Sequence, residues 1–364
     1  MAKGGMLSKS SELQASFDVE GESITIGIDL GDRYSYCCVL RGDGRVLTEG
    51  RVRTTADGLA KHFQDLPQTR IAMEVGTHSW WVSRALSEWG HEVIVANPRA
   101  VQLITAGNRK SDQMDAEVLA RLARVDPKLL SPIQDRDSAT YPDVAELNSR
   151  DLLVRTRTKL INAVRGMIKT AGFRSPSIGP ESFASKASPL IPEQLRSPLM
   201  PLVQTISEVT LRIRDSDKRL ERIARDRYPE TLRLRQVHGA GPVTALQFVL
   251  TVGDPLRFHK SRDLGPYIGL VPKKRQSGDV DKQMRISKAG NRRLRSLLVQ
   301  CSQFVLGRFG PDSDLKRWGS AIASRGGKNG KRRAIVAVAR KLAVCYTGCG
   351  SLETSTTRYI TPRR

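Results

Sequence analysis

The chain is poor in the residues that build disulfide frameworks, zinc sites and membrane spans. Its 364 residues include five Cys, with no C-x-x-C pair and no clustered His beside them, so neither a disulfide framework nor a zinc site is supported. No apolar run approaches the roughly 18 residues of a membrane helix, and residues 1–22 hold no apolar signal-peptide core. These absences predict a cytoplasmic protein of bacterial type. The polar, Ser- and Gly-rich residues 1–22 are expected to form a disordered leader, and residues 351–364 a disordered tail.

Asp and Glu are scarce in the C-terminal part of the chain. The whole sequence carries 60 Lys and Arg against 37 Asp and Glu, a formal net charge of +23. Residues 230–364 hold 27 basic and 8 acidic side chains, whereas residues 1–130 hold 16 and 17. A polyanionic partner is the simplest physical reason for such self-repulsion. Nucleic acid is therefore the first expected partner and a membrane surface the second, with contacts concentrated in the C-terminal part.

The hydrophobic pattern predicts an α/β domain over residues 23–130. The run SITIGIDLG and two strand-like runs around a Gly-Asp-Gly turn predict a three-stranded meander. A strand over 70–76, a helix over 78–90 and a strand over 91–98 then predict a parallel pair covered by a helix. The segment 110–124 has the spacing of a further helix. Three tryptophans of the first helix are expected in the core rather than on a base-stacking surface: Trp80, Trp81 and Trp89.

Residues 131–229 are expected to form a helical coiled-coil arm, because apolar residues repeat at helical spacing in two stretches. A Pro- and Ser-rich segment, 172–201, joins them and predicts an irregular connection. The pattern permits a dimer or tetramer, and equally a hairpin packed within one chain. The repeating positions are Leu153, Leu160, Val164, Met167 and Ala171, then Leu202, Ile206, Val209, Ile213, Leu220 and Ile223.

Residues 230–350 are expected to form a mainly α domain with a basic surface. Gly239 and Gly241 make a tight turn before a helix in VHGAGPVTALQFV, which is similar to the hairpin of helix-hairpin-helix modules. In such a turn a helix N-terminus and its amides can face a DNA phosphate; the alternative is an ordinary turn between helices. A second basic loop, SRGGKNGKRR at 324–333, is either an RNA or DNA contact or a disordered connector.

Four carboxylates of the first domain are candidates for a metal site. Asp29 ends the first predicted strand and Glu74 lies near the end of the fourth, so neighbouring strands would bring both to one edge of the sheet. Asp112 and Asp115 are three residues apart and share one face of the following helix. Such an oxygen-rich set suits one or two Mg²⁺ ions, which can clamp the attacking and leaving oxygens of a phosphoryl transfer.

These carboxylates also have structural interpretations. Asp29 could hydrogen-bond the turn that follows it, and Asp112 with Asp115 could form a reciprocal N-cap pair. Glu74 interrupts the apolar strand IAMEVG, where an unpaired buried charge would be costly. The segment IGIDLGDRYS is also similar to the phosphate loop of actin-like ATPases and sugar kinases, but the second Asp-x-Gly-Gly-type loop that those proteins need is missing from the sequence.

The stretch 273–291, KKRQSGDVDKQMRISKAGN, is polar and basic and contains one Ser-Gly step, at Ser277. From the residues alone, Ser277 is either a turn residue in a polar hairpin or a nucleophile near a phosphate; Ser261, Ser287 and Ser296 offer competing hydroxyls. The basic residues form either a solvated face or a surface that grips a nucleic-acid backbone. The candidate contacts are Lys273, Lys274, Arg275, Arg285, Lys288, Asn291, Arg292 and Arg295.

In chain order, these motifs resemble those of the IS110 family of insertion-sequence transposases, which is related to the Piv-type DNA invertases. The matching pieces are GIDLG, AMEVG, the Asn-Pro step at Asn97, KSDQMDAEVLA, GAGPVTA, YIGLVP, the Ser-Gly step and ISKAGNRRLR. They span residues 24–345, nearly the whole chain. One departure is Val75, where Thr is common after the acid; it removes one hydroxyl and leaves the carboxylates unchanged.

The resemblance implies a RuvC-like, ribonuclease-H-type domain whose DEDD acids, Asp29, Glu74, Asp112 and Asp115, bind Mg²⁺. It implies a C-terminal transposase domain whose serine, Ser277, attacks the scissile DNA phosphate and holds the strand as a phosphoserine ester. It also implies a bridge RNA that specifies donor and target DNA, and a tetramer that shares composite active sites. We therefore expect a DNA recombinase with no membrane partner, associated with the nucleoid when bound to DNA. The alternatives are a RuvC-like metal nuclease that uses water, and a non-catalytic protein that binds RNA or branched DNA.

Overall fold

The computed structural model describes residues 7, 23–98, 111–133, 138–174, 176–277, 280–327 and 329–348. These residues belong to two compact units, Met1–Arg136 and Asp137–Arg364, each with its own hydrophobic core. Within the described ranges, no helix is both long enough and apolar enough to cross a membrane.

The first unit is built on a five-stranded mixed sheet with the order β3-β2-β1-β4-β5. The strands are β1 Thr25–Asp29, β2 Tyr34–Leu40, β3 Val46–Arg53, β4 Arg70–Glu74 and β5 Glu92–Ala96. β1, β2 and β3 form an antiparallel meander, and β4 and β5 run parallel to β1. The predicted meander and parallel pair are confirmed, and the sheet is compatible with the ribonuclease-H-type domain that the resemblance implies.

The described helices of this unit are α1 Ala56–Phe63, α2 Ser79–Glu88 and α3 Asp112–Val125. α2 and α3 confirm the two predicted helices. α1 has no counterpart in the sequence-based expectations, although Thr55 is a clear N-cap whose Oγ1 accepts a hydrogen bond from the Gly58 N–H at 3.1 Å. Trp81 and Trp89 pack against the core, as expected.

Alternation along the strands divides the side chains between the two faces of the sheet. Ile26, Ile28 and Met73 point to the face that packs against α1 and α2. Ala72 points to the opposite face, in a cluster with side chains of α3. Full burial of each large apolar side chain stabilises the fold by about 1.5–3 kcal/mol. The alternation of side chains places α3 on one face of the sheet and also sets the face toward which the residues at the strand ends point.

The second unit is mainly helical, as expected for residues 230–350. Its described helices and strands are α4 Tyr141–Thr170, α5 Phe183–Ala187, α6 Glu193–Arg227, α7 Glu230–Leu234, α8 Pro242–Val252, α9 Leu264–Ile268, β6 Pro272–Ser277, β7 Val280–Ile286, α10 Arg292–Leu306, α11 Asp314–Ser324 and α12 Gly330–Gly348. α8, α10 and α12 share a buried core, in which Phe248 and Tyr346 meet edge to face with ring centroids 5.0 Å apart.

α4 and α6 pack on each other in opposite directions. Arg227 pairs with Asp143 and Arg150 pairs with Asp217, each at 2.7 Å, so partners later in α4 lie earlier in α6. The helical hairpin within one chain is therefore present. The expected buried stripe is partly wrong on α4: Met167 is 47% exposed, because the branched side chains of the neighbouring stripe, Ile161 and Ile168, occupy the buried face instead.

The prediction of an irregular connection over 172–201 is wrong over its last nine residues, 193–201. α6 begins at Glu193 and continues through Pro198 and Pro201. Each Pro removes one backbone donor and disfavours the helix, but Leu199 and Val203 are buried against α4 and α5. Burial of this apolar face offsets the proline cost, which composition alone does not reveal.

Candidate functional site

Asp29 and Glu74 end neighbouring parallel strands. Ile28 of β1 lies opposite Met73 of β4, so the residues that follow them, Asp29 and Glu74, leave the sheet in the same register. Residues two apart in a strand share a face, and Gly27 faces α3. Both carboxylates therefore lie on the α3 side of the sheet, at its carboxyl edge, where both are partly exposed.

α3 begins at the same edge of the sheet. A Cβ on Gly27 would lie 2.0 Å from the Ala116 carbonyl oxygen, in the first half of α3. Near the other end of the helix, the Ala123 carbonyl accepts a hydrogen bond at 3.3 Å from Arg70, which starts β4. α3 therefore runs antiparallel to β1 and β4, and its N-terminus lies at their carboxyl ends.

Asp112 and Asp115 stand in the first turn of α3, so the backbone places all four predicted acids at one edge of the sheet. The helix is capped by Ser111, whose Oγ accepts from the Met114 N–H at 3.2 Å and whose carbonyl accepts from the Asp115 N–H at 2.9 Å. The alternative of a reciprocal N-cap pair between the two aspartates is therefore wrong.

The donor chemistry of this edge fits a divalent cation, because carboxylate oxygens are the hard ligands that Mg²⁺ and similar ions prefer. Among the described residues, however, no three His, Cys, Asp or Glu side chains have the spacing of a closed metal site. The backbone thus brings the donors to one place, and the side chains would have to turn toward a common point to coordinate an ion. The residues that would hold it are Asp29, Glu74, Asp112 and Asp115.

Two loops at this edge carry residues that sequence reasoning missed. Asp32 follows β1 and His78 follows β4, and His78 Nε2 lies 3.5 Å from Asp32 Oδ1. Trp81 Nε1 donates a hydrogen bond to His78 Nδ1 at 3.0 Å. The only sequence signal was a histidine four residues after Glu74, which does not reveal that the two loops meet.

Ser277 ends the first strand of an antiparallel hairpin. It is the last residue of β6 and lies opposite Val280 of β7. Residues 278 and 279, including the glycine of the Ser-Gly step, lie outside the described residues. Arg275 is also in β6. The exposed cations of the hairpin include Lys273, Lys274 and Arg285.

The basic loop after β7 is held against the turn that follows α9. The Lys288 N–H donates to the Gly269 carbonyl at 3.1 Å, and a Cβ on Gly290 would lie 2.0 Å from the Tyr267 carbonyl oxygen. Lys288 itself has a φ of +55°, which is uncommon for a residue with a side chain. The side chain of Lys288 is exposed, so a closely packed backbone presents it to solvent.

Asn291 is the N-cap of α10. Its Oδ1 accepts hydrogen bonds from the N–H groups of Arg293 and Leu294 at 3.0 and 2.9 Å, a contact that stabilises a helix by about 1 kcal/mol. Arg292, at the first helical position, is exposed. Of the two residues, Arg292 is the one that presents its side chain to solvent.

Arg295 stabilises the same loop through hydrogen bonds to backbone carbonyls. Its Nη1 donates to the carbonyls of Ile268 and Ala289 at 2.8 and 2.7 Å. These bonds join the turn after α9 to the basic loop, so Arg295 has a structural role in addition to the nucleic-acid contact predicted for it.

The side chain of Arg293 points away from the basic loop and toward α4. It donates to the Leu147 carbonyl of α4 and lies 3.7 Å from Asp151 of the same helix. Burial lowers the pKa of Arg293 to about 10, with Asp151 opposing the shift. The first turn of α10 is thus attached to α4.

The two glycines of the predicted helix-hairpin-helix turn differ in their surroundings. Gly239 has a φ of +88°, which favours glycine, and a Cβ there would lie 2.8 Å from Cδ1 of the exposed side chain of Phe304. Gly241 is the N-cap of α8, without a side-chain cap, and is exposed. Both glycines of the turn between α7 and α8 are therefore exposed, and Gly241 is the one with open space around its Cα.

Two family models match the chain. A DEDD-type IS110 model described as a transposase matches residues 26–172. A model described as the transposase IS116/IS110/IS902 family matches residues 232–318. The first model covers the edge of the sheet that carries Asp29, Glu74, Asp112 and Asp115, which we call the carboxylate edge. The second model covers Ser277 and the basic loop.

Curated relatives match over most of the chain. A putative transposase of Sinorhizobium fredii is 30% identical over 291 residues, which are 77% of this chain and 72% of that protein. The transposase for insertion sequence element IS1111A of Coxiella burnetii is 29% identical over 333 residues, 87% of each chain. A shorter match, 30% over 110 residues, is to the pilin gene-inverting protein of Moraxella lacunata and covers 30% of this chain and 33% of that protein.

The carboxylate edge, the basic helical unit and these matches define an enzyme that acts on DNA, a transposase. More narrowly, the chain belongs to the IS110 family of insertion-sequence transposases. The resemblance expected from the sequence motifs is thereby confirmed.

Proposed function

We propose that this transposase cuts and rejoins DNA through a phosphoester on Ser277, with Mg²⁺ held by Asp29, Glu74, Asp112 and Asp115 in a RuvC-like domain. The observation that carries the proposal is the meeting of β1, β4 and the first turn of α3 at one edge of the sheet. The DEDD-type family match over residues 26–172 supports it.

A serine hydroxyl is a weak nucleophile and must lose its proton as it attacks. In the proposed step the bond between Ser277 Oγ and phosphorus forms, and the bond between phosphorus and one bridging deoxyribose oxygen breaks. The serine proton passes to a neighbouring base or water, and the leaving oxygen takes up a proton. Rejoining is the reverse reaction with the hydroxyl of another DNA end. Mg²⁺ at the carboxylates would supply charge neutralisation and lower the pKa of the attacking hydroxyl.

The second unit supplies the positive surface that this chemistry needs. Lys273, Lys274, Arg285 and Arg292 are exposed on or beside the hairpin of Ser277. Each cation near a phosphate releases counterions and contributes to binding that is independent of sequence. The proposed DNA contacts also include Arg275, Lys288, Asn291, Arg295 and the turn at Gly239 and Gly241.

We further propose that a bridge RNA pairs with donor and target DNA, because base pairing can read sequence where the protein has no evident base-reading motif. A homo-oligomer, a dimer or tetramer, would supply composite sites. The mass of the complex with element-derived RNA and DNA, measured by light scattering, tests the oligomer; a monomer at full activity would contradict it.

The test of the main proposal is covalent attachment of DNA. Protein, Mg²⁺ and element-derived RNA are mixed with end-labelled DNA spanning the element junction, and labelled protein is measured after denaturation. We expect an adduct with wild type and with Ser296→Ala, an exposed serine on α10, and none with Ser277→Ala. Cleavage without any adduct would instead establish a nuclease that uses water. Tight binding without cleavage would favour a non-catalytic protein.

A further inference from the structure

The loops after β1 and β4, which follow the strand ends that carry Asp29 and Glu74, are bridged by a side-chain contact. The bridge is the contact between Asp32 and His78, with Nε2 and Oδ1 3.5 Å apart. Because β1 and β4 are neighbouring parallel strands, this contact lies beside the carboxylate edge. His78 thus lies in a loop at the same edge of the sheet as the carboxylates.

Trp81 fixes which nitrogen of His78 carries the proton. The indole Nε1 can only donate, and it lies 3.0 Å from His78 Nδ1, so Nδ1 must be the acceptor. The neutral ring then carries its proton on Nε2, the atom that faces Asp32. The rings of His78 and Trp81 meet edge to face at 85°, and Trp81 packs against the core. His78 is therefore a donor with a defined direction.

The loop that carries His78 is also fixed. The buried Ser79 hydroxyl donates to the Gly76 carbonyl at 2.9 Å and accepts from the Gly76 N–H at 3.1 Å. The His78 carbonyl accepts from the Val82 N–H at 3.1 Å. These three hydrogen bonds fix the backbone on either side of His78, and the bond from Trp81 Nε1 fixes the ring.

The partner that Nε2 has in this structure is a weak one. The contact to Asp32 is at the outer limit of a hydrogen bond, and the Asp32 side chain is 95% exposed, against 25% for His78. An exposed carboxylate is well solvated and can release the donor at little cost. The Nε2–H group can therefore donate its hydrogen bond to a closer acceptor in place of Asp32.

We propose that His78 is a phosphate-binding residue, which donates its Nε2–H to a non-bridging oxygen of the DNA strand at the carboxylate edge. This inference rests on the proposed function, since it requires a phosphate at that edge. Four carboxylates repel a phosphate, so a donor in a loop at the same edge of the sheet would offset part of that repulsion. A donor that is already oriented costs no reorganisation when negative charge develops on the phosphate oxygens. Trp81 is its positioning residue.

Two near-isosteric substitutions separate the donor from the packing. His78→Asn keeps an acceptor for Trp81 but lacks a group at the Nε2 position, whereas His78→Gln can place an amide N–H there. We expect the rate of adduct formation on end-labelled junction DNA to fall about 10²-fold in His78→Asn and to stay near wild type in His78→Gln, with equal melting temperatures. Equal rates for the Asn and Gln variants would overturn the proposal.

Asp29→Ala in the same assay distinguishes a failure of the role proposed for His78 from a failure of the proposed carboxylate site. If Asp29→Ala is inactive and His78→Asn is fully active, only the role of His78 fails. If Asp29→Ala is fully active, the carboxylate site fails and the proposal for His78 fails with it.

The tautomer can be read without DNA or metal. In two-bond ¹H–¹⁵N spectra of the full-length protein, assigned by His78→Gln, we expect the Nε2–H form in wild type and a mixture of tautomers in Trp81→Phe. A wild-type ring protonated on Nδ1 would overturn the proposal, because Nε2 could then not donate.

Discussion

Gly27→Ala should both destabilise the first unit and displace the acids of its carboxylate site. The new Cβ would lie 2.0 Å from the Ala116 carbonyl oxygen and 2.6 Å from the Ala120 nitrogen, both backbone atoms of α3. Reaching ordinary contact at 3.4 Å requires α3 to move by about 1.4 Å. Overpacking of this kind costs about 1–3 kcal/mol. It would also shift Asp112 and Asp115 relative to the strand acids, and a misplacement of about 1 Å can cost 10²-fold in rate.

Two assays check this expectation together. Urea unfolding followed by circular dichroism should show the loss of stability, and adduct formation at a temperature where the variant is folded should fall about 10²-fold. The matched control is Gly166→Ala on α4, where an added Cβ meets nothing within 4 Å; it should gain about 0.5–1 kcal/mol and keep its activity. A Gly27→Ala variant with wild-type stability and rate would refute the packing of α3 on β1 that places the acids.

Three further predictions concern stability and binding. Asp143 is buried and accepts from the Tyr228 hydroxyl at 2.7 Å, so Tyr228→Phe should lower the free energy of unfolding in urea by about 1.5–3 kcal/mol; an unchanged value would contradict it. His91 donates to the Phe63 carbonyl at 2.8 Å, and burial lowers its pKa. Its stabilising contribution is therefore present above the unfolded pKa of about 6.5 and lost as pH falls through the folded value; unfolding midpoints should drop from pH 7 to pH 5 less in His91→Gln than in wild type. Arg292→Ala should weaken binding to any duplex and reduce the slope of log K against log salt by about 1, as measured by fluorescence anisotropy.

The sequence predicts the carboxylate edge well because strand periodicity and helix periodicity are local. Asp29 and Glu74 could be placed at strand ends from the apolar runs before them, and the face of α3 followed from a spacing of three residues. The direction of α3 across the sheet could not be predicted, since it depends on Gly27 allowing a backbone contact with Ala116. Such a contact has no signature in the sequence of either segment.

The roles of individual polar residues were harder to predict. Asn291 and Arg295 stand in a basic run, but hydrogen bonds to backbone groups decide what they do, and composition does not encode those partners. His78 was missed because its partners, Asp32 and Trp81, come from a different loop and from the next turn of a helix. The role of Ser277 stays a prediction carried by the family motif.

The attachment of Arg293 to the Leu147 carbonyl has a mechanical consequence. It ties the first turn of α10, one residue from exposed Arg292, to a helix 30 residues long. α4 can therefore act as a lever: a small rotation near its middle would be transmitted through one guanidinium to the rim of the basic loop. Contacts made far along that helix would then alter the position of the basic loop without any change in the sequence of the loop itself.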